Sequence, residues 1–341
     1  MTLSARRHLS LFLRLAVSAA LIALLLSRLD VRDMGRFLLD ADLFLVVVTL
    51  ITVLMDRCLM AGRWIVLLEG LGIHPPRRKV VKIFFLSTFF GSFLPTGIGG
   101  EAVRAVSLSR LTSKGVEAVT SVAMDRVLGM FSMLLTGLAS LVVFSRVYPH
   151  PALLSIVLAL SVATALGLAV ALSLSMHRRI RDRFGASQDG WRGRIVQAVE
   201  ALGRYRSRMG LLGFVLVMSV GVQVLRVLQA FLLSEAMNLG TALVYFFCFV
   251  PPILIVTMLP ISVSGLGTTN LAYVALFSQV GMDPNGAFVL SVLILALGVV
   301  GNLPGGVIYA LEGFSSAGST RVDADDEQAN LERAGLVESE R

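Results

Sequence analysis

Residues 93–104 read FLPTGIGGEAVR, and residues 258–270 read MLPISVSGLGTTN. In each stretch an apolar run ends at Leu-Pro, and a glycine follows five residues after the proline, at Gly100 and at Gly265. Proline removes a backbone donor and blocks helix continuation, whereas glycine permits positive φ. Each stretch therefore predicts a helix, a break and a second helix.

The two predicted breaks indicate a transporter-like arrangement. A break inside an apolar region leaves backbone groups unpaired, and lipid tolerates this only where protein or water covers them. One broken segment in each half of a chain is typical of transporters that bind substrate between discontinuous helices. The residues predicted to form the breaks are Pro95, Gly97, Gly99, Pro260, Gly265 and Gly267.

Composition gives the class of protein. Apolar residues make up 56% of the chain and charged residues only 15%, whereas a soluble domain carries about a quarter charged residues. The net charge of +8 is spread over loops without a basic stripe interleaved with aromatic residues, which argues against nucleic-acid binding. Cys58 and Cys248 lie in apolar segments and the histidines are scattered, so neither a metal site nor a cofactor is expected.

The apolar runs predict an all-α, polytopic membrane protein with six full spans and two re-entrant helical hairpins. The run 83–94 is too short to cross a bilayer, which needs roughly 20 residues, and a basic helix follows its break. We therefore expect one hairpin that enters from the cytoplasm and a second, around 244–270, that enters from outside. The six spans are predicted at 9–26, 43–61, 116–144, 153–174, 211–233 and 287–311, with loops at 28–42, 77–82 and 177–208.

Basic residues set the predicted orientation. Residues 77–82 hold four of them, and residues 177–208 hold nine arginines against three acids, so both segments are expected in the cytoplasm. The protein is then expected in the cell membrane (inner or plasma membrane), with both of its termini in the cytoplasm. The crossings divide a single domain, 1–312, into inverted-topology halves at about 1–148 and 152–312, and the acidic tail 313–341 is expected to be disordered.

Seven ionisable residues are predicted at membrane depth, where a charge costs several kcal/mol unless it is paired or hydrated. They are Asp56, Arg57, Glu101, Arg104, Asp125, Arg126 and Arg226. Three acids face four arginines, and a lipid phosphate could neutralise the surplus arginine through bidentate contacts. The alternative is a self-contained network of ion pairs that holds the hairpins.

Candidate substrate contacts follow from this surplus. Gln223, Arg226 and Gln229 recur at intervals of three along one helix face. The glycine-rich break could present free N–H groups of a helix N-terminus to an anion, or its glycines could instead let two helices pack closely. The predicted substrate-binding residues are Gly100, Glu101, Arg104, Asp125, Arg126, Gln223, Arg226 and Asn270.

Several motifs together resemble a known family, and the resemblance covers nearly the whole chain. They are Gly62-Arg63-Trp64, Gly100-Glu101-x-x-Arg104, Asp125-Arg126 and Gly265-Leu266-Gly267. The pattern is similar to the flippase-like family of the transmembrane region of lysylphosphatidylglycerol synthase, which implies movement of a lipid or lipid-linked compound between leaflets. Relatives commonly have Glu-Arg in place of Asp125-Arg126, which is a conservative change, and a glutamate where this chain has Asn270. If that glutamate binds a cationic aminoacyl head group in relatives, its absence here argues against such a substrate.

Three functions remain open. The first, which the resemblance favours, is translocation of an anionic phospholipid-type substrate. The sequence contains no Walker motif, so direct ATP hydrolysis is not expected. A non-catalytic scaffold or regulator that binds lipid-biosynthesis enzymes is the second. The third is a membrane-embedded transferase acting on a lipid carrier, for which Asp125 or Glu101 could serve as general base. A transporter-type function is favoured over an enzyme.

Overall fold

The computed structural model describes residues 23–27, 29–93, 99–143, 145, 151–173, 190–258 and 265–311, and regular structure within these ranges is helical. Five helical segments are long and apolar enough to cross a membrane: Leu43–Gly70, Gly115–Val143, Leu154–Ala171, Met209–Ala236 and Pro284–Leu311. The helices are α1 (Val31–Leu39), α2 (Leu43–Gly70), α3 (Arg77–Phe93), α4 (Gly99–Thr112), α5 (Gly115–Val143), α6 (Pro151–Ala171), α7 (Gly190–Arg206), α8 (Met209–Ala236), α9 (Leu243–Met258), α10 (Thr268–Phe277), α11 (Pro284–Val300) and α12 (303–311).

These helices confirm the all-α class of a membrane protein, and five candidate spans coincide with spans predicted from the sequence. The remaining span, at 9–26, lies almost entirely outside the described residues, as do the acidic tail and the break residues Pro95, Gly97 and Pro260. The fold is therefore a bundle of long apolar helices with shorter helices packed among them.

Three segments predicted as loops contain helices. Residues 28–42 include α1, whose Phe37 packs against the apolar cluster of α8 to α11. The second span does not end at Ala61 but continues to Gly70, because Arg63 is neutralised inside the protein rather than exposed at an interface. The basic residues at 77–82 form the first turns of α3, and α7 occupies part of 177–208.

Arginine side chains bind helix ends at one end of the bundle, here termed the basic end. Arg208 Nη1 donates to Glu69 O at 2.8 Å near the end of α2, and Arg206 Nη1 donates to Leu172 O at 2.8 Å just after α6. Positive groups are favourable there because the last carbonyls of a helix lack partners. The ends of α2 and α6 and the start of α8 therefore lie together.

The same end holds both termini of the α3–α4 pair. Arg77, the first residue of α3, forms an ion pair with Glu69 at 3.2 Å. After α4, two residues lead into α5, whose Glu117 forms an ion pair with Arg204 of α7 at 3.1 Å. The chain thus leaves the basic end along α3 and returns to it along α4.

The opposite end of the bundle gathers the other helix termini. The Asp42 N–H donates to Ala236 O at 2.8 Å, which joins the start of α2 to the end of α8. The Asp30 N–H donates to the Asn285 side chain at 2.8 Å, next to the start of α11. The α9–α10 pair begins shortly after α8 and finishes shortly before α11, so both of its termini lie at this opposite end.

Each short pair packs as an antiparallel hairpin. In α3–α4, Gly91 lies against Gly100, and a Cβ on Gly100 would sit 2.5 Å from Ser87 O. Gly100 is therefore needed for close approach of the two helices rather than for positive φ. Whether the N–H groups after it also contact an anion stays a prediction. In α9–α10, Gly265 and Gly267 do have positive φ, at +80° and +85°.

Aromatic and aliphatic side chains form the cores around these hairpins. Phe246, Phe249 and Phe277 pack together between α9 and α10, with ring centroids 4.8 to 5.2 Å apart in the pairs that include Phe277. On the basic side, Tyr205 OH donates to Leu67 O at 3.0 Å. Burial, reinforced by the nearby Asp125 carboxylate, raises the pKa of Tyr205, so this donor stays neutral.

Candidate functional site

Charged side chains from α2, α4, α5 and α8 meet inside the bundle in what we term the central cluster. All of them except Asp56 line two adjoining cavities of about 160 Å³ and 410 Å³, which share Met60, Glu101 and Arg104. The cluster comprises Asp56, Arg57, Arg63, Glu101, Arg104, Asp125, Arg126 and Arg226. All seven ionisable residues predicted at membrane depth belong to it.

The cluster lies far from the helix ends. Asp56 is separated from each end of α2 by about 20 Å, at 1.5 Å per residue. Arg226 occupies the inner part of α8, about 15 Å from its end. Since both helices are among the candidate spans, these charges lie well inside the apolar region.

Asp125 is held between two arginines. Its Oδ1 accepts from Arg63 Nε at 2.8 Å, and its Oδ2 accepts from Arg104 Nη1 at 3.1 Å. Arg63 Nη1 also donates to Ser219 Oγ at 3.0 Å, which ties α2 and α5 to α8. The side chains of all three charged residues are at most 7% exposed, and with Ser219 this triad joins four helices inside the bundle.

Aromatic rings enclose Arg104. Its guanidinium carbon lies 4.5 Å from the centroid of Phe84 and 5.2 Å from that of Trp64. Trp64 is fully buried and its indole N–H donates to Ser121 Oγ at 3.3 Å. Trp64 thus lies inside the bundle, because α2 continues past it to Gly70.

Glu101 and Arg126 form an ion pair between α4 and α5. Their side chains are 24% and 37% exposed, respectively. This pair is therefore more solvated than the Asp125 triad, and its contribution to stability is correspondingly smaller.

Asp56 has two arginine neighbours but is incompletely satisfied. Its Oδ2 pairs with Arg57, whose Nε donates to Asn302 at 2.8 Å. Its Oδ1 has no hydrogen-bond partner among the described residues and lies 3.8 Å from Arg226 Nε. Arg226 also approaches Met60 Sδ at 3.7 Å, and its side chain is 26% exposed. Arg226 is thus the loosely held arginine of this group.

The charges of the cluster do not balance. The carboxylates are Asp56, Glu101 and Asp125, whereas five arginines surround them, so two positive charges are in excess. Unmatched charge in an apolar region is costly unless water or an anion accompanies it. The cluster with its two cavities is therefore suited to an anionic group.

The other predicted site residues occupy different positions. Gln223 lines the smaller cavity and donates to Ser132 Oγ at 3.4 Å, while its Oε1 has no partner among the described residues. Asn270 instead caps α10: its Oδ1 accepts from the Gly267 N–H at 3.0 Å, and its amide donates to Ser291 at 2.6 Å. The structure gives Asn270 a role in holding α10 against α11.

Arg63 is the cluster member that sequence reasoning did not place at membrane depth. A signal was present, because Asp56 and Arg63 are seven residues apart and share one face of a helix that continues beyond Ala61. Ser219 and Asn302 were not predicted as site residues, because a single polar residue in an apolar helix does not form a recognisable sequence pattern. Within the described ranges, no three His, Cys, Asp or Glu side chains are grouped to hold a metal ion.

Comparison with known families gives one match. Residues 11–305 match the family described as Lysylphosphatidylglycerol synthase TM region, and the search of curated proteins finds no match. The matched range includes every residue of the central cluster and both hairpins. The chain therefore belongs to the lysylphosphatidylglycerol synthase TM region family.

Proposed function

We propose that this protein moves an anionic lipid, or an anionic lipid-linked compound, between the leaflets of the membrane, with Arg226 as its head-group contact. The observation that carries the proposal is the pair of excess positive charges at the two cavities. A phosphate group suits this site because guanidinium groups bind it through paired, charge-assisted hydrogen bonds.

Arg226 is the best candidate because the other arginines already have close partners. Arg63 and Arg104 both bind Asp125, and Arg126 pairs with Glu101. Arg226 reaches Asp56 only at 3.8 Å and is the arginine on α8 that borders the smaller cavity. We assign Arg104 a positioning role, since two aromatic rings and Asp125 enclose its guanidinium.

Binding of a phosphate would compete with Asp56 for Arg226. The Asp56 Oδ1 atom lacks a hydrogen bond among the described residues, so the present contact to Arg226 is long and easily exchanged. An anion that draws Arg226 towards the cavity would leave Asp56 paired with Arg57. Arg226 can thus alternate between two partners, the Asp56 carboxylate and the phosphate of a substrate.

The hairpins support an alternating pathway. Both termini of α3–α4 lie at the basic end and both termini of α9–α10 lie at the opposite end. We infer that the two pairs are re-entrant and that the halves have inverted topology, as in transporters built from such repeats. The excess of Lys and Arg supports an orientation in which the basic end faces the cytoplasm, in a protein of the cell membrane.

The contacts within the cluster argue against the transferase alternative. A general base must be able to accept a proton from its substrate, yet Asp125 is held by two arginines and Glu101 pairs with Arg126. Neither carboxylate is free to act in this arrangement, so translocation remains the better-supported function.

Reconstitution in liposomes tests the proposal. The purified protein is incorporated with fluorescent analogues of phosphatidylglycerol, phosphatidic acid and phosphatidylcholine, and a membrane-impermeant reductant removes fluorescence from the outer leaflet. We expect faster leaflet exchange than in protein-free liposomes for the anionic analogues. Exchange indistinguishable from protein-free liposomes for every analogue would contradict translocation and favour a scaffold or regulator.

A further inference from the structure

A third cavity, of about 610 Å³, lies between α4, α5 and α7, and we term it the lateral groove. Its volume falls within the range of roughly 300–1,000 Å³ typical of ligand pockets. Val106 and Val119 line it and are 51% and 59% exposed. The lateral groove is thus a surface cavity with apolar walls, separate from the two cavities of the central cluster.

Two arginines give the lateral groove a positive rim. Arg110 and Arg194 line it from α4 and α7, both are exposed, and neither has an ion-pair partner among the described residues. The acid closest in sequence to the groove-lining residues of α5 is Glu117, which Arg204 already engages at 3.1 Å. The rim therefore offers two guanidinium groups to an external anion.

The lateral groove lies at the basic end, close to where α4 leads into α5. It also adjoins the central cluster along the seam between these two helices. On α4, Ser109 and Ala105 line the groove, and Glu101, four residues further along the same face, lines the central cavities. On α5, Val119 lines the groove and Arg126 lines the smaller cavity, about 10 Å along the helix. The Glu101–Arg126 ion pair is thus the part of the central cluster that lies towards the groove along both helices.

We propose that the lateral groove binds one anionic phospholipid from the leaflet at the basic end. Its phosphate contacts Arg110 and Arg194, and an acyl chain lies along Val106 and Val119. An amphiphile matches both features of the groove, because a soluble anion would use the arginines but leave the valines exposed. Neutral lipid would use the valines but leave both guanidinium groups without a counter-charge.

This site does not depend on the proposed role of Arg226. A phospholipid bound in the lateral groove could supply substrate to the central cluster past the Glu101–Arg126 pair, or it could stabilise α7 against the bundle. Binding is therefore measured directly rather than through transport.

Quenching by brominated lipids tests the proposal. In a variant with Cys58→Ser and Cys248→Ala, a fluorophore is attached at Val119→Cys in the groove, and a control protein carries it at Val162→Cys. Val162 lies on α6 and is 49% exposed. The proteins are placed in phosphatidylcholine nanodiscs containing a minority of brominated phosphatidylglycerol or of brominated phosphatidylcholine.

We expect brominated phosphatidylglycerol to quench the fluorophore at position 119 severalfold more than brominated phosphatidylcholine does. At position 162 the two brominated lipids should quench equally. Arg110→Gln with Arg194→Gln should abolish the preference at 119, whereas Arg78→Gln with Lys79→Gln, which removes the same charge at the same end, should retain it. Unchanged values at position 162 and an unchanged size-exclusion profile verify that each variant is folded.

Three results would overturn the site. Equal quenching at position 119 by both lipids would show that the groove does not select an anionic head group. A preference that survives the loss of both arginines would assign the selectivity elsewhere. Weak quenching at 119 by either lipid would show that protein, from this chain or a second copy, fills the groove.

Discussion

Asp125→Asn is expected to be among the most destabilising isosteric substitutions in the bundle. The change keeps the shape of the side chain but removes the negative charge that Arg63 and Arg104 share at 2.8 Å and 3.1 Å. Both arginines would remain buried without a carboxylate. Breaking a buried ion pair by removing one partner typically costs 3–5 kcal/mol, and the low exposure of this triad, at most 7%, places it in that class.

Glu101→Gln is the matched control. It also removes one carboxylate of the central cluster, but the Glu101–Arg126 pair is 24% and 37% exposed. Solvated pairs of this kind contribute about 0–1 kcal/mol. We therefore expect Asp125→Asn to lower the free energy of unfolding by at least about 2 kcal/mol more than Glu101→Gln does.

The assay is unfolding by dodecyl sulfate in mixed micelles, followed by tryptophan fluorescence in a Trp191→Phe background. Trp64 then reports on the triad itself, because it is fully buried beside Arg104. A double-mutant cycle with Arg104→Gln should give a coupling of about 0.5–3 kcal/mol. Equal stability of Asp125→Asn and Glu101→Gln would refute the conclusion that Asp125 holds the four helices together.

Two further predictions concern packing and orientation. A Cβ on Gly305 would lie well inside van der Waals contact with Phe85 O, so Gly305→Ala should lower the free energy of unfolding by about 1–3 kcal/mol in the same assay. Gly298 has open space around it, so Gly298→Ala should not lower the free energy of unfolding. Equal destabilisation by the two substitutions would contradict the close approach of α12 to α3. In intact cells, a membrane-impermeant maleimide should label Ser145→Cys, whereas Arg78→Cys should react only after permeabilisation; the opposite pattern would reverse the orientation of the basic end.

Much of the fold followed from the sequence because apolar length alone identifies a membrane span. The Leu-Pro and glycine patterns also predicted the helices on either side of each predicted break, and Gly265 and Gly267 have the positive φ expected at such a position. The end of α2 was misplaced because Arg63 and Trp64 resemble residues of a membrane interface. Their burial depends on Asp125 and Ser121 of α5, and contacts between distant segments leave no local pattern.

The sequence predicted which residues form the central cluster better than it predicted how they pair. Charges at membrane depth stand out in an apolar sequence, so the cluster members of α4, α5 and α8 were identified individually. Which arginine pairs with which acid could not be read from spacing, since Arg104 and Arg226 differ only in their three-dimensional surroundings. Arg104 is enclosed between two rings and Asp125, whereas Arg226 borders a cavity and reaches its acid at 3.8 Å.

We propose that Arg226 contacts an anionic head group during translocation. The most direct test is the rate of leaflet exchange per folded molecule, measured for Arg226→Lys and for Arg226→Ala. Lysine keeps the charge but cannot form the bidentate contact. Loss of a charge-assisted hydrogen bond, about 1.5–3 kcal/mol, corresponds to an exchange that is roughly 10- to 160-fold slower. Arg204→Lys, at the surface of α7, serves as the control and should exchange lipid at the wild-type rate. We predict that both Arg226 variants fold normally and lose exchange of anionic lipid; wild-type exchange in well-folded Arg226→Ala would contradict the claim.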